Sequence, residues 1–95
     1  MGNPVPRPKH LAAKLLAIRQ HLELSQIRMA MRLGTGEIAY HRLSEFEHGR
    51  RMPDLMTVLA YARAAGIPME YIADDEVDLK TFRDHLAAAD EKRGK

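Results

Sequence analysis

The chain is built from apolar stripes at helical spacing that stop at glycines or prolines, and strand-like alternation appears nowhere in it. Leu11, Leu15, Ile18 and Leu22 share one helical face, with Lys14, Arg19 and Gln20 mostly off it, which predicts a first helix over 8–22. Ser25 is placed to cap a second, short helix with Met29, Ala30 and Leu33 inward and Gly34 as its left-handed end. Arg28 stands where a capping box would carry Glu or Gln. Leu43 and Phe46 set the inner side of a third helix over 39–48, stopped by Gly49. Pro53 and Asp54 introduce a fourth, striped by Leu55, Val58, Leu59 and Ala62 and ended by Gly66. Pro68 opens a short helix carrying Tyr71 and Ile72. Asp78 caps a last segment with Leu79, Phe82 and Leu86 on one side, before the charged tail DEKRGK. The expected fold class is all-α, a compact bundle of about five or six short helices.

Ninety-five residues suit one small core rather than a core plus a deep catalytic cleft. The organisation expected is an extended arm over 1–8, where Pro4, Pro6 and Pro8 forbid helix and ladder, a main domain over 9–76, and a C-terminal helix and tail over 77–95. There is no cysteine, so disulfides and thiolate metal sites are excluded. No apolar run approaches the roughly 20 residues of a membrane span, and MGNPVPRPKH lacks the apolar stretch of a secretion signal. Gly2 does not make a myristoylation site, because Pro6 stands where Ser or Thr is required. A soluble, cytoplasmic protein is expected.

Charge is divided unevenly. Residues 1–53 hold nine Lys or Arg against four acids, and 54–95 hold six against nine. Four of the five histidines also sit in the basic half. A solvated charged face explains this as well as a polyanionic partner does until a motif is added.

The motif is a pair of short helices about a glycine-bearing turn, the second running into the basic loop Arg50–Arg51. LSQIRMAMRLG at 24–34, FEHG at 46–49, RRMPDL at 50–55 and LAYARAAGIPMEYI at 59–72, in this order and spacing, resemble the Cro/CI-type, or XRE, helix-turn-helix of phage repressors and bacterial regulators. The likeness covers about residues 11–75. It implies a lambda-repressor-like fold and sequence-specific binding to double-stranded DNA, with helix 39–48 in the major groove and the preceding helix across the backbone.

Position by position, the resemblance puts Tyr40, His41 and Glu45 toward the bases, with Arg42 and Ser44 at the margins, and gives Arg50, Arg51 and Gln26 to phosphates. A carboxylate at Glu45 would accept from a cytosine amino group, and His41 would meet a guanine or a phosphate. Plain solvation of Glu45 and surface packing of Tyr40 are comparably good readings. Glu47 lies beside Phe46 on the inner side, and its counterpart in the family pairs with an arginine of the first helix, here Arg19. That implies a largely buried ion pair of architectural rather than reading character.

Two features depart from the family pattern. Thr35–Gly36–Glu37 lengthens the turn by about three residues and is read as a plain longer turn. Ile27 and Met31 make an apolar i, i+4 pair where polar residues are usual, and the favoured reading is packing beneath that turn.

Other chemistries find little support. His41, Glu45 and His48 recur on one face, but no further metal-ligand set accompanies them. Zincin, phosphate-loop and dinucleotide motifs are absent, and capping or surface roles account for Ser25 and Ser44. No enzyme, cofactor, metal or small-molecule substrate is expected. The expected partners are duplex DNA and a second copy, with Phe82 and Leu86 as dimer anchors or as completion of the core. The alternative function is an antitoxin-like or adaptor module that meets a protein through Ile27, Met31 and the last helix.

Overall fold

The computed structural model describes residues 8–34 and 40–93. It is all-α, with α1 (Leu11–Leu22), α2 (Gln26–Leu33), α3 (Tyr40–Glu47), α4 (Leu55–Ala65), α5 (Met69–Ala73) and α6 (Leu79–Arg93), and no strand among the described residues. The expected arm, apart from Pro8, and the longer turn at Thr35–Glu37 lie outside the described residues.

Capping side chains set the helix starts where the sequence placed them. Ser25 Oγ accepts from the backbone N–H of Arg28 (3.1 Å), Asp54 Oδ1 from Thr57 (2.8 Å) and Asp78 Oδ1 from Thr81 (2.8 Å). The Thr57 hydroxyl and then its N–H hold the Asp54 carboxyl below its ordinary range, and the Thr81 N–H and then its hydroxyl do the same for Asp78. Gly34 and Gly66 close α2 and α4 at φ 73° and 74°. Helix α1 turns over differently, because Glu23 itself takes the left-handed conformation (φ 59°), while the Leu24 N–H reaches back to the Arg19 carbonyl.

The centre of the molecule is α1, which packs against α3, α4, α5 and α6, while α2 packs on α3 and α4. Leu15, Ile18, Met29, Leu43, Tyr61 and Phe82 are completely buried there. Three expectations change. Leu55 does not join the inner stripe of α4: it is 67% exposed, and the buried face runs instead through Val58, Tyr61, Ala62 and Ala65. Phe82 and Leu86 complete the core with α1 and are not surface anchors for a second copy. Ile27 and Met31 do not pack away; they are 56% and 72% exposed.

Lys14, expected off the apolar stripe, is fully buried. Its ammonium donates to the carbonyls of Tyr71 (2.8 Å) and Asp74 (2.9 Å), groups that the end of α5 leaves without helical partners, and it lies 5.5 Å from the centre of the Phe82 ring. Burial lowers its pKa, and the carboxylates of Asp75, Asp74 and Asp78 act in the opposite sense. From the other side, Asp75 accepts from the backbone N–H groups of Lys9 (2.7 Å) and His10 (3.0 Å), fastening the start of α1 to the segment after α5.

Candidate nucleic-acid interface

Helix α3 turns Leu43 and Phe46 into the core, which leaves its opposite face outward. Tyr40, His41 and Arg42 are exposed, and Ser44 and Glu45 are half-buried. The Tyr40 and His41 rings meet edge to face with centroids 6.3 Å apart. At the other end His48 folds back over the helix, its Nδ1 2.7 Å from the Ser44 carbonyl oxygen and 3.3 Å from the Ser44 hydroxyl. Beyond it the chain reverses at Gly49 (φ 73°), where Arg50 N–H bonds the Glu45 carbonyl (2.9 Å), and both Arg50 and Arg51 project into solvent.

Two of these groups meet directly. Arg51 Nε donates to Glu45 Oε1 at 2.8 Å. That bond, with the nearby charges of Arg51, His41 and Arg42, holds the Glu45 carboxyl below its ordinary range. The i to i+6 clasp has no period-based signature, so spacing could not have found it. It leaves the η nitrogens of Arg51 as further donors.

Beneath this face lies the network that sets its angle. Arg19 grips Glu47 with two prongs, Nε to Oε2 at 2.7 Å and Nη2 to Oε1 at 2.9 Å, and also donates through Nη1 to the Leu24 carbonyl (3.0 Å). The Glu47 side chain is only 3% exposed and that of Arg19 19%. The hydrogen bond from Arg19 keeps Glu47 fully paired and raises the Arg19 pKa still further. Gln26, first residue of α2, donates its amide to the same Glu47 oxygen at 3.2 Å. One carboxylate therefore ties together α1, the start of α2 and the end of α3. Gln26 keeps a second amide N–H for a ligand. The buried Tyr61 hydroxyl, close enough to feel both charges, is pushed far above its usual pKa, mainly by burial.

Among the described residues, no three His, Asp or Glu side chains come together in a way that could hold a metal ion, and no helix is long and apolar enough to cross a membrane.

The geometry thus offers a short outward helix flanked by cations and braced from behind by a buried ion pair. Comparison with known proteins finds a family model described as a helix-turn-helix domain that matches residues 12–76. No curated protein and no solved structure gives a match. Since that family model spans well over half the chain and runs through α1 to α5, the protein belongs to the helix-turn-helix domain family.

Proposed function

We propose that this protein is a Cro/CI-type transcriptional regulator that binds double-stranded DNA in a sequence-specific manner and acts as a repressor, without catalytic activity. Helix α3 enters the major groove. Tyr40, His41 and Glu45 face base edges, Arg42 and Ser44 lie at the margins, and Gln26, Arg50 and Arg51 reach phosphates. Two copies read two half-sites of an approximately palindromic operator, and the protein works in the cytoplasm at the nucleoid. Repression follows from occupancy of the promoter, which needs no further surface.

The observation that carries this reading is the outward face of α3, exposed at Tyr40, His41 and Arg42 and continued by the exposed Arg50 and Arg51. A helix that reads DNA must be held rigidly from behind, and the Arg19–Glu47–Gln26 network ties α3 to α1 and α2. The test is a selection from random duplex DNA followed by footprinting of the winner at physiological salt. Expected are a footprint of two half-sites about one helical turn apart and an affinity that falls steeply with salt. Failure to enrich any sequence, or binding indifferent to salt, would overturn it.

A further inference from the structure

Away from the outward face of α3, helices α2 and α4 form an open trough. One part, about 450 Å³ in volume, is lined by Arg32 and Leu33 from α2 and by Met56, Leu59, Ala60 and Arg63 from α4. A second depression, about 260 Å³, continues along α2 between Leu24, Arg28, Met31 and Arg32. Arg32 lines both, so the two adjoin at its side chain. On α4 Met56, Leu59, Ala60 and Arg63 recur at i, i+3, i+4 and i+7, and on α2 Arg28, Met31 and Arg32 recur at i, i+3 and i+4, with Leu24 just ahead of the helix. Two helices thus present stripes of side chains to these adjoining depressions.

Its chemistry is specific. The apolar lining includes methionines that water reaches, Met31 at 72% and Met56 at 66% exposure, and Ile27, 56% exposed, lies one turn before Met31 on α2. Such unbranched side chains adapt to the shape of an apolar ligand. The walls are cationic. Arg28, Arg32 and Arg63 stand along the trough, none is ion-paired among the described residues, and neither α2 nor α4 contains a single acid. Duplex DNA would place a hydrated phosphate backbone on the methionines and gain nothing from burying them. A protein helix with apolar side chains on one face and carboxylates along its borders satisfies floor and walls together.

We infer that the α2–α4 trough is the docking site for an acidic amphipathic helix of a partner protein, which lays its apolar stripe on Met31, Leu33, Met56 and Leu59 while its carboxylates meet Arg28, Arg32 and Arg63. This surface is separate from the proposed DNA contacts, and its use does not depend on them.

The test uses the full chain and a displayed library of helical peptides about four turns long. Winners should be rich in Glu and Asp, carry apolar residues at i, i+3 or i+4, and i+7, and shift the amide resonances of α2 and α4. Met56→Ser and Arg63→Gln should each weaken the winning peptide by about tenfold or more. Because Met56 is exposed, Met56→Ser should leave the fold and duplex binding unchanged. The inference fails if no peptide is enriched, if the winners carry no acidic bias, or if the shifted amides lie elsewhere. It also fails if duplex DNA, rather than peptide, shifts the trough resonances, or if the chain self-associates through this face. Each of these outcomes is distinguishable from failure of operator binding.

Discussion

Arg51 Nε lies 2.8 Å from Glu45 Oε1, so an acid on the outward face of α3 and a cation of the following loop form one unit. A carboxylate facing DNA repels phosphates, and the hydrogen bond from Arg51 offsets that repulsion while aiming the guanidinium. On the proposed docking, Glu45→Ala does two things: it removes an acceptor for a cytosine amino group and frees Arg51. On a panel of single-substitution operators, Glu45→Ala should reorder preference at one base-pair position. Arg51→Ala combined with Glu45→Ala should depart from additivity. An unchanged ranking of operators would reduce Glu45 to a positioning residue for Arg51.

Arg50 differs from its neighbour, since no carboxylate among the described residues is ion-paired with it. A phosphate contact carries no sequence information. Arg50→Ala should accordingly weaken every duplex to a similar degree and lower the slope of log affinity against log salt by about 1. Titrations of a cognate and a scrambled duplex at several salt concentrations check this. Loss confined to one sequence would instead assign Arg50 to base reading.

Among the described residues, Glu47 accepts its side-chain hydrogen bonds from the inside: Arg19 twice and Gln26 once. Glu47→Ala leaves the Arg19 guanidinium, mostly withdrawn from water, without its counter-charge, at a cost of about 3 kcal/mol in urea unfolding. Operator affinity should fall for the remaining folded protein too, because α3 loses its brace. Retained stability would mean that the Leu24 carbonyl and water suffice for Arg19.

How much was legible in the sequence follows from which interactions are local. Caps at Ser25, Asp54 and Asp78 and stops at Gly34 and Gly66 depend on neighbours a few residues away, and spacing exposes them. The stripe of α4 begins one turn later than periodicity suggests: Leu55 looks like any core leucine, yet the fourth helix is buried only from Thr57 onward. Lys14 was illegible because the carbonyls that justify its burial lie 57 to 60 residues away. The Arg19–Glu47 pairing came from family likeness, as nothing in periodicity links positions 28 apart. The Glu45–Arg51 clasp depends on the loop after Gly49, whose path no helical period describes.

Phe82 separates a core role from an assembly role. Its side chain is completely buried against the rest of the chain, near the Lys14 ammonium. Phe82→Ala should lower unfolding free energy by about 3–5 kcal/mol, with a melting temperature independent of protein concentration. If instead the variant folds normally but sediments as a smaller species, α6 is an oligomer contact, and its packing on α1 is secondary.

The fastening at the start of α1 responds to acid in a defined direction. Two backbone N–H groups, His10 first and Lys9 second, hold the Asp75 carboxyl below its ordinary value of 3.8, so the folded protein binds that proton less readily than the unfolded chain. The contribution is present above the unfolded pKa and disappears as pH falls through the lower, folded one. Below about pH 4, amide exchange should therefore quicken in the first turn of α1, around Leu11 to Leu15, before the middle of the helix opens. Asp75→Asn should show the faster exchange already at neutral pH, with a weaker acid dependence in that turn. Asp75 also acts most strongly among the carboxylates that counter burial at Lys14, so its neutralisation removes support from the buried ammonium as well. Exchange in the first turn that ignores both pH and Asp75→Asn would show that Lys14 and the core hold α1 in place without this carboxylate.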